Sequence, residues 1–171
     1  MFVGSEGTLG VIAEITVRLY PQPEAVSAAV VNFPTIRGAV DTVIQTIQMG
    51  VPIARSEFLD AATIKAINAY SKLSLREQTT LFFEFHGTEA GVRSRPRPSR
   101  NWPASMAGRI SSGRPGPDRT RLWNARHNAY FACLQARPGA RAISTDTCVP
   151  ISRLADSLTG AREILDRAAV P

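Results

Sequence analysis

The stretch T-T-L-F-F-E-F-H, Thr79 to His86, decides the fold class. Leu81, Phe83 and Phe85 fall on one face of a strand, and Phe82, Glu84 and His86 on the other. It is the most strand-like run of the chain. Working backward from it, Asp60 caps a helix in which Ile64, Ile67 and Ser71 share a face, with Thr63 and Tyr70 beside them. Ser56 to Leu59 predicts a short strand. Val26 to Phe33 predicts another, ended by Pro34. Thr35 then caps a helix whose apolar stripe is Ile36, Val40, Val43, Ile44 and Ile47, stopped by Gly50 and Pro52. Working forward, Asp118 starts a helix through about Gln135, Arg141 to Val149 predicts a strand, and Pro150-Ile151-Ser152 leads into a last helix ending near Arg167. Strand–helix–strand units with hairpin-like returns predict an α+β fold, an antiparallel sheet with helices on one face. No internal repeat is evident.

The chain opens on M-F-V-G-S-E-G-T-L-G-V-I, Met1 to Ile12, where Gly4, Gly7 and Gly10 frame a loop carrying Ser5, Glu6 and Thr8. A strand is predicted directly after it, with Val11, Ala13, Ile15, Val17 and Leu19 on one side and Glu14, Thr16 and Arg18 on the other. Glycines let backbone N–H groups approach a ligand and adopt positive φ, which suits a phosphate or a flat ring system. A P-loop requires Lys-Ser/Thr after the last glycine, where Val11-Ile12 stands. A dinucleotide fingerprint requires the strand before the glycines and a helix after them, the reverse of the order here. On spacing alone, a tight turn leading into a strand is the better reading.

A chain of 171 residues can bury one good core. No apolar run approaches the roughly 18 residues that span a bilayer, and no signal-peptide pattern opens the chain. Cys133 and Cys148 lack metal-ligand spacing and read as free thiols in a reducing compartment. The net charge of +6 has a local origin. Between Val92 and Pro117 stand six arginines (Arg93, Arg95, Arg97, Arg100, Arg109, Arg114), five prolines and five serines, with no lysine and no carboxylate. The remainder of the chain is neutral.

That window shows neither helical nor strand periodicity, and three readings compete for it. It is an Arg-rich nucleic-acid or membrane arm, a disordered linker, or a stretch translated in a shifted frame. With G-C-rich codons, one nucleotide restored after Val92 lets the neighbouring frame encode an amphipathic helix closed by Gly-Gly, then a short strand. The shifted frame is the preferred reading, so residues 92–117 are expected to be frame-shifted or disordered and not a binding site. No nucleic-acid partner is assigned.

The order of residues says more than their spacing. F-V-G-S-E-G-T-L-G-V-I-A-E-I-T-V-R-L-Y-P-Q-P (2–23) resembles the end of the FAD-binding domain in FAD-linked D-2-hydroxyacid dehydrogenases, flavoproteins of the vanillyl-alcohol-oxidase type. That family includes cytochrome-linked D-lactate dehydrogenases and the flavin subunit of glycolate oxidase. The likeness continues through V-P-I-A-R-S-E-F-L-D (51–60), T-L-F-F-E-F-H-G (80–87), R-L-W-N-A-R-H-N-A-Y (121–130) and S-T-D-T-C-V-P-I-S-R-L-A (144–155). The resemblance implies flavin contact by Gly4, Ser5, Glu6, Gly7, Gly10, Val11 and Ile12. It implies that residues 1–22 are the tail of a FAD-binding domain and 23–171 a truncated, ferredoxin-like substrate domain. The family's first FAD lobe would precede Met1, and its G-D-G-N segment, with the catalytic base and metal ligands, would follow Pro171. The chain is thus expected to be an internal fragment, inactive alone.

The candidate chemistry lies on the predicted helix from Asp118 to Gln135, where Arg126, Tyr130 and Cys133 are spaced to share a face. An arginine there can clamp a carboxylate with two parallel hydrogen bonds, although the position equally fits a surface arginine. By resemblance, Arg126 binds the carboxylate of a 2-hydroxy acid. Tyr130 and Ser144 stand where D-2-hydroxyglutarate relatives carry threonine and lysine, which favours a small monoacid such as D-lactate or glycolate. The resemblance also implies hydride transfer to FAD, electrons passed to a cytochrome or quinone, and a place in the cytoplasm or on the surface of an energy-transducing membrane. His86 and His127 read as structural; no zinc site or serine triad is supported. A non-catalytic ligand-binding or dimerisation module remains the alternative.

Overall fold

The computed structural model describes residues 1–94, 109–113 and 117–169, with side chains for 1–91 and 119–169. Four strands form one antiparallel sheet: β1 (Ala25–Phe33), β2 (Arg55–Leu59), β3 (Thr79–Gly87) and β4 (Arg109–Gly113), in the order β2-β3-β1-β4. This is the strand order of a ferredoxin-like sheet, as the resemblance implied. β3 is its spine, pairing with β1 from Ala25↔Gly87 to Phe33↔Thr79 and with β2 from Arg55↔Glu84 to Leu59↔Thr80. β4 borders β1 on the far edge. The window from 92 to 117 therefore contains the end of one helix, α3 (Glu89–Ser94), and an edge strand that its lack of periodicity did not predict. Apart from Pro117, which opens the next helix, the rest of that window lies outside the described residues.

The alternation along β3 divides the core in two. Phe82 with Val30 of β1 belongs to one apolar cluster, while Leu81 and Phe83 with Val31 and Phe33 belong to another. Helical cover extends to both faces of the sheet. The second cluster is closed by α1 (Ile36–Gln48) through Ala39 and Val43, and α6 (Leu154–Arg167) packs on α1. The first is closed by α2 (Ala61–Ser71), α4 (Pro117–His127) and α5 (Ala129–Ala136) through Ile64, Ile67, Trp123 and Ala132.

Both predicted caps form. Thr35 Oγ1 accepts from the Gly38 N–H at 3.1 Å and Asp60 Oδ1 from the Thr63 N–H at 2.8 Å. The buried side of α1 is rotated from the predicted stripe: Ala39, Val40, Thr42 and Thr46 face inward while Ile47 is exposed. The threonine hydroxyls tolerate burial because each donates to a carbonyl one turn back, Thr42 to Gly38 at 2.8 Å and Thr46 to Thr42 at 2.6 Å.

Three other expectations are corrected. The segment 11–19 is not a strand, and its side chains stand in solvent, Val11 at 96% exposure. The segment 141–149 likewise has no regular structure and no ladder, and 141–148 are exposed. Alternation makes a strand possible, but only a neighbour's backbone groups make one, and no described neighbour is present for either. The predicted helix from Asp118 to Gln135 is two helices, broken at Asn128, whose ψ of 4° departs from the helical value.

Candidate functional site

Glu84 sits in the middle of β3 and is 1% exposed. A carboxylate buried there needs charged partners, and two elements deliver them. Register places Arg55 of β2 opposite Glu84 on the same face. Arg55 Nη2 donates to Glu84 Oε1 at 3.1 Å and to Oε2 at 2.9 Å. Arg119 of α4 donates from Nε to Oε2 at 2.8 Å, and its Nη2 lies 2.6 Å from the same oxygen. His86 Nε2 lies 2.8 Å from Oε1. Burial by itself pushes the Glu84 carboxyl up. The hydrogen bonds from His86, Arg55 and Arg119 outweigh it and hold the group below its ordinary value.

The cluster is one end of a seam. Arg119, Trp123 and Arg126 are four and then three residues apart, so they line one face of α4. Each meets a partner on the sheet. Trp123 stands edge-on to Phe82, with centroids 6.2 Å apart and ring planes at 90°. The Arg55 guanidinium carbon lies 3.8 Å from the centroid of the Trp123 ring. At the far end Arg126 Nη2 donates to Glu57 Oε2 at 2.8 Å, both side chains about one-third exposed (38% and 32%). Glu57 is two residues from Arg55 on β2 and therefore shares its face. Three guanidinium groups thus meet two carboxylates: Arg55 and Arg119 share Glu84, while the partly exposed Arg126 is paired with Glu57 alone.

The predicted face of Arg126, Tyr130 and Cys133 is divided between two helices. The break at Asn128 puts the latter two on α5, where Cys133 is exposed and the Tyr130 hydroxyl reaches only the Ala142 carbonyl at 3.4 Å. Ser144 lies in the exposed segment and His127 faces solvent. His86 is a hydrogen-bonding neighbour of Glu84. Sequence reasoning missed Glu84, Arg55, Arg119, Trp123 and Glu57. Two signals were present: an acid inside an apolar strand, and the helical spacing of Arg119, Trp123 and Arg126.

The glycine loop forms as two tight turns. Ser5 N–H donates to the Phe2 carbonyl at 3.1 Å and Thr8 N–H to the Ser5 carbonyl at 2.9 Å. Gly4 (φ +83°), Glu6 (φ +49°) and Gly7 (φ +81°) occupy the left-handed region. The reversal brings Phe2 and Val3 toward Val11, Ile12 and Ala13 around a shallow concavity of about 600 Å³. No hydrogen bond, ion pair or ring contact among the described residues joins this loop to Arg126.

Residues 22–170 match the family model described as FAD linked oxidases, C-terminal domain. The chain belongs to this family. It is 45% identical to the probable D-lactate dehydrogenase, mitochondrial, of Danio rerio, over 90% of this chain and 31% of the relative. It is 39% identical to the D-lactate dehydrogenase [cytochrome], mitochondrial, of Arabidopsis thaliana, over 99% of this chain and 30% of that protein. Identity is 29% to glycolate oxidase subunit GlcD of Bacillus subtilis, over 96% of the chain and 35% of the relative. The chain spans about a third of the length of these relatives, 30% to 35%. FAD is the cofactor in the family's description. The loop fits such a group. At Gly4, Gly7 and Gly10 an added Cβ would meet nothing within 4 Å, so the backbone there is open to the approach of a ligand. Among the described residues, no helix is long and apolar enough to cross a membrane.

Proposed function

We propose that this chain is part of a flavoprotein that oxidises D-lactate, or a related small D-2-hydroxy acid such as glycolate, to the 2-oxo acid. The observation that carries this is Arg126. It is held at the open end of an anchored seam, partly exposed, with one N–H of its guanidinium committed to Glu57. Four donors are left, and a bidentate clamp on a carboxylate uses two. The family match and the relatives named as D-lactate dehydrogenases support the substrate class.

FAD, when bound, supplies the two-electron acceptor for the hydride from Cα. The residues of this chain bind and orient. Gly4, Ser5, Glu6, Gly7, Gly10, Val11 and Ile12 would hold the edge of the cofactor, the loop offering backbone N–H donors and Val11 and Ile12 apolar surface. Arg126 holds the substrate carboxylate. Glu84, through Arg55 and Arg119, fixes the strand and helix from which Glu57 and Arg126 project. Tyr130 and Ser144 offer no second cation for a dicarboxylate, which favours a monoacid. Electrons pass on to a cytochrome or quinone, in the cytoplasm or on a membrane surface; two relatives are named as mitochondrial.

The test is oxidation of D-lactate with an artificial electron acceptor by the whole polypeptide that carries these residues. Arg126→Ala is expected to lower kcat/KM about a hundredfold, the equivalent of a charge-assisted bond of roughly 3 kcal/mol. Equal kcat/KM would remove Arg126 from the site, and no oxidation of any D-2-hydroxy acid would remove the reading. The isolated 171-residue chain is expected to retain no FAD and to turn over no D-lactate.

A further inference from the structure

Arg126 projects from the last turn of α4, one residue before His127 ends the helix and two before the break at Asn128. A long side chain at such an end has several rotamers open to it, and a clamp needs one. One described contact selects a rotamer: the 2.8 Å hydrogen bond from Arg126 Nη2 to Glu57 Oε2. Glu57 is well placed to make that selection. It lies within β2, whose pairing to β3 runs from Arg55 to Leu59, so its backbone is held in register against the sheet. The neighbouring Arg55 is itself locked, held to Glu84 and stacked on Trp123. Only Oε2 of Glu57 is engaged by Arg126, in a single-point contact that leaves the arginine's paired N–H groups available.

We propose that Glu57 is the positioning residue that presents Arg126 to the carboxylate of the hydroxy acid; this rests on the reading of Arg126 as the carboxylate clamp. The two effects of Glu57 on an incoming anion are opposed. Its charge weakens the field of Arg126, while its hydrogen bond removes the rotamer freedom that binding would otherwise have to freeze. The exposure of the pair screens the first effect and leaves the second intact.

Phenylglyoxal modification of Arg126 in the whole, FAD-loaded polypeptide that carries these residues, mapped by mass spectrometry across a D-lactate titration, separates them. D-lactate is expected to protect Arg126 in the parent chain. Glu57→Ala is expected to raise the half-protecting concentration about tenfold, as misplacement of a clamp does. Glu57→Gln, which keeps a carbonyl oxygen for the bond and loses the charge, is expected to restore most of the protection. A merely structural role for Glu57 would shift the unfolding midpoint and leave half-protection alone. Protection by D-lactate that is unchanged or stronger in Glu57→Ala overturns the positioning role and leaves the clamp standing. No protection in the parent chain overturns the clamp, and the proposal with it. If Glu57→Ala does not fold, Glu57→Asp carries the same test, because it keeps the charge but shortens the reach by one methylene.

Discussion

At the scale of single residues, Glu84 is the clearest case of opposing forces. Burial disfavours its charge, and three neighbours restore it. Because the folded-state carboxyl lies below its ordinary value, the unfolded chain takes up the proton first as pH falls. The stability it contributes is therefore full above the ordinary glutamate range and is lost as pH drops through that range toward the folded value. Glu84→Gln is expected to flatten the acid limb of a stability–pH curve, and an unchanged limb would assign acid unfolding elsewhere. At neutral pH, Glu84→Ala is expected to cost about 2–3 kcal/mol in urea unfolding. That is below the loss for a fully buried pair, because Arg55 and Arg119 keep 36% and 29% of their side-chain surface and can hydrate. Trp123 makes a contrasting prediction. Its Nε1 is buried without a hydrogen-bond partner among the described residues. Trp123→Phe thus sacrifices no bond there, and its cost is expected to be about 1 kcal/mol, from weaker stacking under Arg55 and lost volume. Glu84 was legible in the sequence as an acid out of place in an apolar strand. Its partners were not, because Arg55 and Arg119 lie 29 and 35 positions away and pairing at that range is decided by register and docking.

At the scale of elements, the caps were legible and the faces were not. Thr35 and Asp60 bond to N–H groups three residues on, a local geometry that short sequence motifs encode. Asp60 carries a second load, accepting from Arg162 of α6 at 3.1 Å. Asp60→Ala is accordingly expected to cost about 1–2 kcal/mol by thermal unfolding, at the upper part of the range for a cap. The C-terminal side of the same helix ends on Lys72 at φ 52° and ψ 46°, a left-handed conformation that carries a penalty for any residue with a Cβ. Lys72→Gly is expected to stabilise the protein by about half a kcal/mol, the backbone relief exceeding the added entropy of the unfolded chain. The Arg121 bond to the Lys72 carbonyl at 2.9 Å would survive that change. In α1, by contrast, periodicity of apolar side chains pointed to Ile47, whereas burial selected Thr42 and Thr46. Hydroxyls that donate within their own helix no longer oppose burial, and an apolar count cannot register that.

For the whole molecule, two apolar clusters on opposite faces of one sheet hold the fold together, and residues 1–22 contribute to neither. Deleting them is expected to leave the urea midpoint of the remainder unchanged. Trypsin is expected to cut at Arg18, in exposed extended chain, well before Lys65 inside α2. A lowered midpoint on deletion would reveal a packing role for this segment.

The sequence by itself determined the antiparallel α+β class, the positions of β1, β2 and β3, both helix caps, the family and the positive-φ glycine loop. All of these are set by side-chain alternation, by hydrogen bonds within a few residues, or by motifs read in order. Only the tertiary structure decided which candidates become a site. The segments 11–19 and 141–149 alternate like strands yet have no described partner. A helix predicted as one is broken at Asn128, which divides Arg126 from Tyr130 and Cys133. In its place the docking of α4 on the sheet sets Arg119, Trp123 and Arg126 against Glu84, Phe82 and Glu57. The physical reason is range. Local propensity says which residues a helix or strand can present, whereas desolvation of Glu84 and the search for its charged partners decide against which neighbour they are presented.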